Sequence, residues 1–199
     1  MRFTAAAVLA AAVLLAPAAA RAQPVSSLSG PGPDTWIELH LGASIPQHRD
    51  LDVVDPGYAI GGAFGARFSP YLGVEGELGY TRATGHDAGV TLTASDLPFK
   101  ANLRLRAPWK VMELSAAAGV GVHVASLTRE LPDPAGGTVS TTRTSAAFGF
   151  QVAAGLGFHL SPTMLVGAAV ERTFVEPKFE GIGVRFDALR VALTLTYHL

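Results

Sequence analysis

The residues whose spacing could support hydrolysis are His159 and Ser161, which are separated by one leucine. A serine acts as a nucleophile when a base lies within hydrogen-bonding reach and an acid orients that base. However, Ser161 precedes Pro162 between two alternating apolar segments, and Ser69-Pro70 stands in the same kind of position without a preceding histidine. We therefore interpret Ser161 as a turn residue and predict no catalytic residues.

Metal-binding side chains form the second group to consider. His40, His123 and His159 each occupy a polar position in a different alternating segment, at a different distance along it. Because a protein metal site needs several ligands at one place, we predict no metal site and no cofactor. The acidic stretch within residues 46–57 is interpreted as a solvated loop, with binding of a divalent cation as the alternative.

Charged residues that recur at every second position form the third group, as Glu75 and Glu77 do in LGVEGELGY (72–80). In a strand, this period puts both carboxylates on one face and Leu72, Val74 and Leu78 on the other. Eight segments alternate in this way and predict eight β-strands. They are residues 36–45, 58–68, 72–80, 97–106, 112–124, 146–160, 164–174 and 189–199.

The connections between these segments alternate in length. The long ones are residues 46–57, 81–90, 126–143 and 175–183, and the short ones are 69–70, 107–109 and 161–163. Long loops at one end and tight turns at the other are typical of an antiparallel up-and-down barrel that crosses a membrane.

Small residues indicate which face points inward. The polar faces are rich in alanine and glycine, and the chain contains 22 glycines. A glycine on a solvated exterior weakens a strand without any gain, whereas inside a narrow barrel it leaves room for long side chains. The sequence therefore predicts an all-β fold, an eight-stranded antiparallel up-and-down transmembrane β-barrel with its bulky apolar face toward lipid.

The face predicted to point inward carries five acids and five bases. Unpaired buried charges are costly, so we predict an ion-pair network that leaves the lumen largely closed. Glu75 and Glu77 are expected to pair with bases of the next strand, with Lys100, Arg104 and Arg106 as the nearest candidates. Arg106, Glu113 and Glu171 could alternatively reach water at the rims of the barrel. The ten residues are Glu38, Arg67, Glu75, Glu77, Lys100, Arg104, Arg106, Glu113, Glu171 and Arg190.

Composition and the N-terminal residues limit the domain organisation, the chemistry and the partners that the protein can have. Arg2, an Ala/Val/Leu run and the small-x-small site at residues 20–22 predict a cleaved signal peptide (1–22), with an uncleaved anchor as the alternative. A linker (23–35) and a barrel domain (36–199) follow. The absence of cysteine excludes thiol chemistry, and a net charge of −1 without a basic cluster argues against nucleic acid as a partner.

Aromatic residues are expected in two belts, one at each membrane interface. The belt at the short-turn end is predicted to contain Trp36, Phe68, Tyr71, Trp109 and Tyr197, and the belt at the long-loop end Tyr58, Tyr80, Phe148 and Phe174.

The segments SPYLGVE (69–75) and KANLRLR (100–106), the latter followed by a tight turn, resemble the small outer-membrane barrels of the OmpA/OmpX/OmpW type. This resemblance implies a monomer in the outer membrane of a Gram-negative-type cell, in contact with outer-membrane lipid and lipopolysaccharide. It also implies that the barrel-assembly machinery reads Leu195, Tyr197 and Leu199, with Leu199 in place of the usual terminal Phe.

The favoured function is that of a non-enzymatic barrel that contributes to envelope structure or to surface contacts through its loops. A narrow OmpW-type conduit for small or hydrophobic solutes is the first alternative. A lipid A-modifying hydrolase is the second, because barrels with that activity use a His-x-Ser pair. The predicted position of Ser161 in a short turn, at the end opposite the outer-leaflet substrate, argues against it.

Overall fold

The computed structural model describes residues 34–87, 89–132 and 137–199, with their side chains except those at positions 34 and 49. The predicted signal peptide and residues 23–33 of the predicted linker lie outside the described residues. Asp34 and Thr35, which we assigned to the linker, already belong to the first strand.

Eight long strands close into an antiparallel barrel in which each strand pairs with its neighbours in sequence and the last pairs with the first. The predicted up-and-down barrel of eight strands is therefore confirmed. The strands are β1 (Asp34–Pro46), β2 (Gly57–Arg67), β3 (Leu72–Asp87), β4 (Val90–Trp109), β5 (Met112–Pro132), β6 (Thr138–His159), β7 (Met164–Val175) and β10 (Ala188–His198).

Smaller elements lie in two of the loops. A 3-10 helix (Arg49–Leu51) follows β1, and the short strands β8 (Lys178–Phe179) and β9 (Ile182–Gly183) form a hairpin between β7 and β10. Glu180 and Gly181 at the tip of this hairpin have positive φ angles of 52° and 85°. Within the described ranges, no helix is both long and apolar enough to cross a bilayer.

The register gives every strand a polar inner face and an apolar outer face. Leu39, Phe64 and Val120 point outward and are 58%, 56% and 62% exposed, whereas Glu38 is 2% exposed. A shift of one residue would exchange the two faces, so burial of the polar set fixes the register strongly. The apolar exterior is far more extensive than the patches of a soluble monomer and suits a hydrocarbon surrounding.

Two of the predicted long loops are mostly strand. Residues 81–87 extend β3, 126–132 extend β5, and 138–143 extend β6, so that two hairpins project beyond the barrel wall. These ranges are rich in Thr, which favours β structure, but they lack the regular apolar alternation used to recognise the strands. Cross-strand hydroxyl pairs join them, including Thr84 with Thr93 (Oγ1–Oγ1, 3.2 Å).

The other two long loops fold over the mouth of the barrel and form an apolar cap. Leu51 and Val54 from the first loop and Phe179 and Phe186 from the last loop are buried together against inward-facing alanines of the barrel wall. The Arg185 backbone amide donates a hydrogen bond to Asp50 Oδ2 (2.9 Å) and thereby joins the two loops. This hydrogen bond holds the pKa of the Asp50 carboxyl below its ordinary value.

Trp36 was wrongly assigned to the aromatic belt at the turn end. It lies inside the barrel and is fully buried, because position 36 shares the inner face of β1 with Glu38. Its indole lies against Gly65 and Gly73, where an added Cβ would overlap the ring, and the Arg106 guanidinium lies 4.0 Å from the ring centroid. The inner face therefore contains one large aromatic residue that two glycines accommodate.

The contact between Gly65 and Trp36 gives a test of this inner packing. An added Cβ at Gly65 would lie 2.1 Å from Cζ2 of Trp36, whereas at the outward-facing Gly76 nothing lies within 4 Å. We expect Gly65→Ala to lower the free energy of unfolding by about 1–3 kcal/mol, because the indole must shift. The matched control Gly76→Ala should change it by less than about 1 kcal/mol. Urea unfolding in phospholipid vesicles measures both, and equal stability of the two variants would contradict the packing.

Candidate functional site, a charged barrel interior

The barrel interior collects the charged residues that alternate with apolar residues along the sequence. Nine of the ten charged residues assigned to the inner face are buried, and Arg67 is half-buried. They come from seven of the eight barrel strands, so the polar set surrounds the lumen and is not confined to one wall.

Four of these residues form a cluster that spans the lumen. Glu77 and Lys100 are direct cross-strand partners on β3 and β4, and Glu171 and Arg190 are direct partners on β7 and β10. Lys100 Nζ lies 2.8 Å from Glu77 Oε1 and 2.9 Å from Glu171 Oε1. Arg190 Nη2 likewise contacts both carboxylates. Each base therefore contacts one acid on its own wall and one on the opposite wall.

A second cluster surrounds Arg104, on the side of the central cluster nearer the short turns. Its Nη1 lies 2.8 Å from Glu38 Oε2 and 2.9 Å from Glu75 Oε2. Thr196 Oγ1 donates to Glu38 Oε2 (2.7 Å), and His40 Nε2 lies 2.9 Å from Glu38 Oε1. Charged and neutral partners therefore both contact the Glu38 carboxylate.

Neutral amides connect the two clusters. Asn102 Nδ2 donates to Glu75 Oε1 (3.1 Å) and to Glu77 Oε2 (3.2 Å). Gln151 Nε2 on β6 donates to Asn102 Oδ1 (2.6 Å) across Gly119 of the intervening strand β5. Buried carboxylates are tolerated when further donors satisfy their remaining lone pairs, and these amides supply such donors.

A third cluster lies at the turn end and contains two further residues of the ten. Arg106 Nε lies 3.3 Å from Glu113 Oε1 on the neighbouring strand, and its guanidinium covers Trp36. His159 Nε2 lies 4.0 Å from Glu113 Oε2. Arg106 is therefore placed with Glu113 and Trp36, away from Glu75 and Glu77, for which we had considered it a partner.

Sequence reasoning missed one buried pair at the loop end. Asp96 Oδ2 and His123 Nδ1 lie 2.7 Å apart, and His123 is 1% exposed. Residue 96 has the inward parity of β4, but the strand was predicted to begin at residue 97. Lys100 and Asn102 are inward positions two residues apart. Continuing this period toward the N-terminus for two further steps would have identified Asp96 as an inward residue.

His40, His123 and His159 lie in three separate places, beside Glu38, Asp96 and Glu113 respectively. Among the side chains that the structure describes, no three His, Asp or Glu residues are grouped closely enough to hold a metal ion.

Ser161 is held by the turn in which it lies. Its Oγ accepts hydrogen bonds from the backbone amides of Thr163 (3.3 Å) and Met164 (3.1 Å). Ser69 makes the equivalent contacts in its own turn, where its Oγ accepts from the amides of Tyr71 and Leu72. The side chain of His159 points into the barrel toward Glu113. Both serines therefore close tight turns, and the described contacts do not form a nucleophile–base pair.

Small cavities lie in the interior on both sides of the central cluster. The cavity beside Glu38, Glu75 and Asn102 has a volume of about 40 Å³. The one beneath the cap, beside Ser95, Asp96 and Phe186, has a volume of about 50 Å³. Spaces of this size hold a few waters at most.

The last strand presents Leu195, Tyr197 and Leu199 on the outer surface, where they are 40%, 49% and 65% exposed. The Leu199 amide donates to the Thr35 carbonyl oxygen (2.9 Å), so the chain end follows β1 at the closure of the barrel. These three side chains therefore remain accessible beside the seam.

Solved structures with the same architecture come from several bacteria. A major outer membrane protein of Thermus thermophilus has 12% identity and a TM-score of 0.61, over 84% of this chain and 100% of that one. Neisserial surface protein A has 13% identity and a TM-score of 0.57, over 82% and 96%. Ail, the attachment invasion locus protein of Yersinia pestis, solved with the heparin analogue sucrose octasulfate, has 16% identity and a TM-score of 0.52, over 84% and 99%. At these identities the likeness concerns the fold.

Sequence comparison with families gives the assignment. No curated protein matches the sequence significantly. In contrast, the family model described as outer membrane protein beta-barrel domain matches residues 5–196, which is nearly the whole chain. The chain belongs to this family of outer-membrane β-barrel proteins.

Proposed function

We propose that this protein is a non-enzymatic envelope barrel whose lumen is closed to solutes by its ten inward-facing charged residues. The observation that carries the proposal is the cluster of Glu77, Lys100, Glu171 and Arg190, in which each base contacts acids on both walls of the barrel. A solute would have to separate these charges in a narrow, poorly hydrated space, which is costly.

Closure at both ends supports the same proposal. The apolar cap formed by the first and last loops covers the loop end. At the turn end, the Trp36 indole fills the space above Gly65 and Gly73, and Arg106 covers its other side. The lumen would thus be blocked at three levels, and the cavities between them are of water size.

The proposed orientation has the long loops outside the cell and the short turns in the periplasm, after removal of the signal peptide near Ala22. The projecting β3–β4 and β5–β6 hairpins would then form a polar outer surface available for contacts. We further propose that the protein is a monomer in contact with outer-membrane lipid and lipopolysaccharide. Leu195, Tyr197 and Leu199 would be read by the barrel-assembly machinery from the outer surface of β10.

A narrow conduit is the second candidate, because both interior cavities are lined in part by Glu171 and Arg190. If Arg190 moved away from its carboxylates, the two cavities could join past the central cluster. The hydrolase alternative lacks comparable support, since backbone amides of its own turn hold the Ser161 hydroxyl.

Planar-bilayer recordings of the mature protein distinguish a closed barrel from a conduit. We expect no stable conductance steps from the wild type, because a solute would have to separate the ion pairs of the central cluster. Stable steps that disappear or change in size when Arg104 is replaced by alanine would contradict closure and support the conduit. Heat-dependent migration on electrophoresis serves as the folding control for each preparation.

The ion-pair network also predicts a specific loss of stability. Lys100→Met leaves Glu77 and Glu171 to share Arg190, so we expect the free energy of unfolding to fall by about 3–5 kcal/mol. The matched control Lys178→Met, at an exposed position of β8, should change it by less than about 0.5 kcal/mol. Urea unfolding in lipid vesicles measures both variants.

A double variant separates the ion pair from packing. Adding Glu77→Gln to Lys100→Met removes the carboxylate left without its lysine, so the double variant should lose less stability than the sum of the single losses. Strict additivity of the two effects would show that Lys100 and Glu77 do not interact.

A further inference from the structure

Arg172 lies on the apolar outer face of the barrel. On β7 the inward positions are Glu171 and Thr173, both buried, so Arg172 points outward together with Val170 and Phe174. Its cross-strand partners are Val152 on β6 and Leu189 on β10, which also belong to the outer face. Arg172 thus has apolar neighbours along its own strand and on both adjacent strands.

The described contacts of the Arg172 guanidinium are with neutral groups and do not include an anionic partner. Nη1 donates to Gln47 Oε1 (2.9 Å), and the guanidinium carbon lies 5.3 Å from the Phe174 ring centroid. Among the side chains that the structure describes, no carboxylate lies within 4.0 Å of this guanidinium. By contrast, Lys100 and Arg190 each contact two carboxylates, and the exposed Arg143 pairs with Glu180 at 2.8 Å.

The position of Arg172 along the strand matches the level of lipid headgroups. It lies three residues from Val175, the last residue of β7 at the loop end. A charge on the lipid face of a barrel costs about 2–4 kcal/mol at the bilayer midplane but about 0–1 kcal/mol near the interface. The hydrogen bond to Gln47, in the loop beyond β1, shows that the side chain extends from the wall toward that interface.

A guanidinium with free donors at this depth has the geometry to bind phosphate. Arginine forms two parallel hydrogen bonds with a phosphate group, and the remaining Arg172 donors are available for this because Gln47 occupies only one side of the fork. Beside it, the Phe150 and Phe174 rings stack with centroids 4.5 Å apart and 15° between planes. This flat apolar surface suits the acyl chains or sugar face attached to such a phosphate.

We propose that Arg172, oriented by Gln47 and flanked by Phe150 and Phe174, binds the phosphate of a phosphorylated glycolipid of the lipid A class. The lipid occupies the leaflet that faces the long loops. The site lies on the outer wall and does not depend on the closed lumen, but it rests on the proposed function for the orientation of the barrel and its contact with lipopolysaccharide.

Native mass spectrometry of the folded, detergent-solubilised protein titrated with bisphosphorylated lipid A tests this site. We expect Arg172→Gln to bind about tenfold more weakly than the wild type, because a charge-assisted bidentate contact is lost. The matched control Arg143→Gln removes the same charge from a projecting hairpin and should bind like the wild type. Equal binding by Arg172→Gln and the wild type would overturn the proposal.

Two further binding measurements use only the wild-type protein, so they test the proposed phosphate contact even if Arg172→Gln does not fold. Lipid A from which both phosphates have been removed should bind about tenfold more weakly than the bisphosphorylated form. Inorganic phosphate at the same concentration should not displace the lipid. Equal binding of the dephosphorylated lipid, or displacement by free phosphate, would refute the lipid-phosphate assignment.

Discussion

The structure depends on pairing charges inside a barrel whose outer surface is apolar. Glu77 with Lys100 and Glu171 with Arg190 are cross-strand neighbours on opposite walls, and their side chains meet across the lumen. Neither hydrocarbon nor a narrow interior solvates an isolated charge well, so a strand that slipped by one residue would expose its acids to lipid and bury its leucines. The same alternation thus specifies the register of the strands and the pairing of charges in their interior.

The small residues of the inner face follow from this arrangement. Long side chains fit into the lumen where the neighbouring positions are small. Gly119 shows this directly, because it is the cross-strand partner of Asn102 and an added Cβ would lie 1.8 Å from Asn102 Oδ1. Gly65 and Gly73 do the same for Trp36. Glycine in a strand costs some intrinsic stability, and here that cost is offset by contacts that no larger residue would permit.

Period-two alternation was sufficient to predict the barrel and the number of strands, because both follow from which face meets lipid. It also identified nine charged residues that the structure buries, but it missed Asp96, which precedes the predicted start of its strand. The same alternation places Trp36 on the inner face of the barrel. We had assigned it to an aromatic belt at the membrane interface because it is aromatic. The projecting Thr- and Ser-rich hairpins could not be recognised, because strands that are polar on both faces carry no such alternation. The partner of Arg106 depends on barrel stagger, which spacing along one strand does not give.

Contact quenching by phospholipids with brominated acyl chains measures the direction of the inner face directly. In a Trp109→Phe protein, Trp36 is the remaining tryptophan and shares a face with Glu38, whereas Leu103 lies on the outer face. The account predicts that the fluorescence of Trp36 is nearly unchanged in these bilayers. A Leu103→Trp residue in a protein lacking both native tryptophans should be strongly quenched. Equal, strong quenching at both positions would contradict the account, because the charged face would then meet lipid.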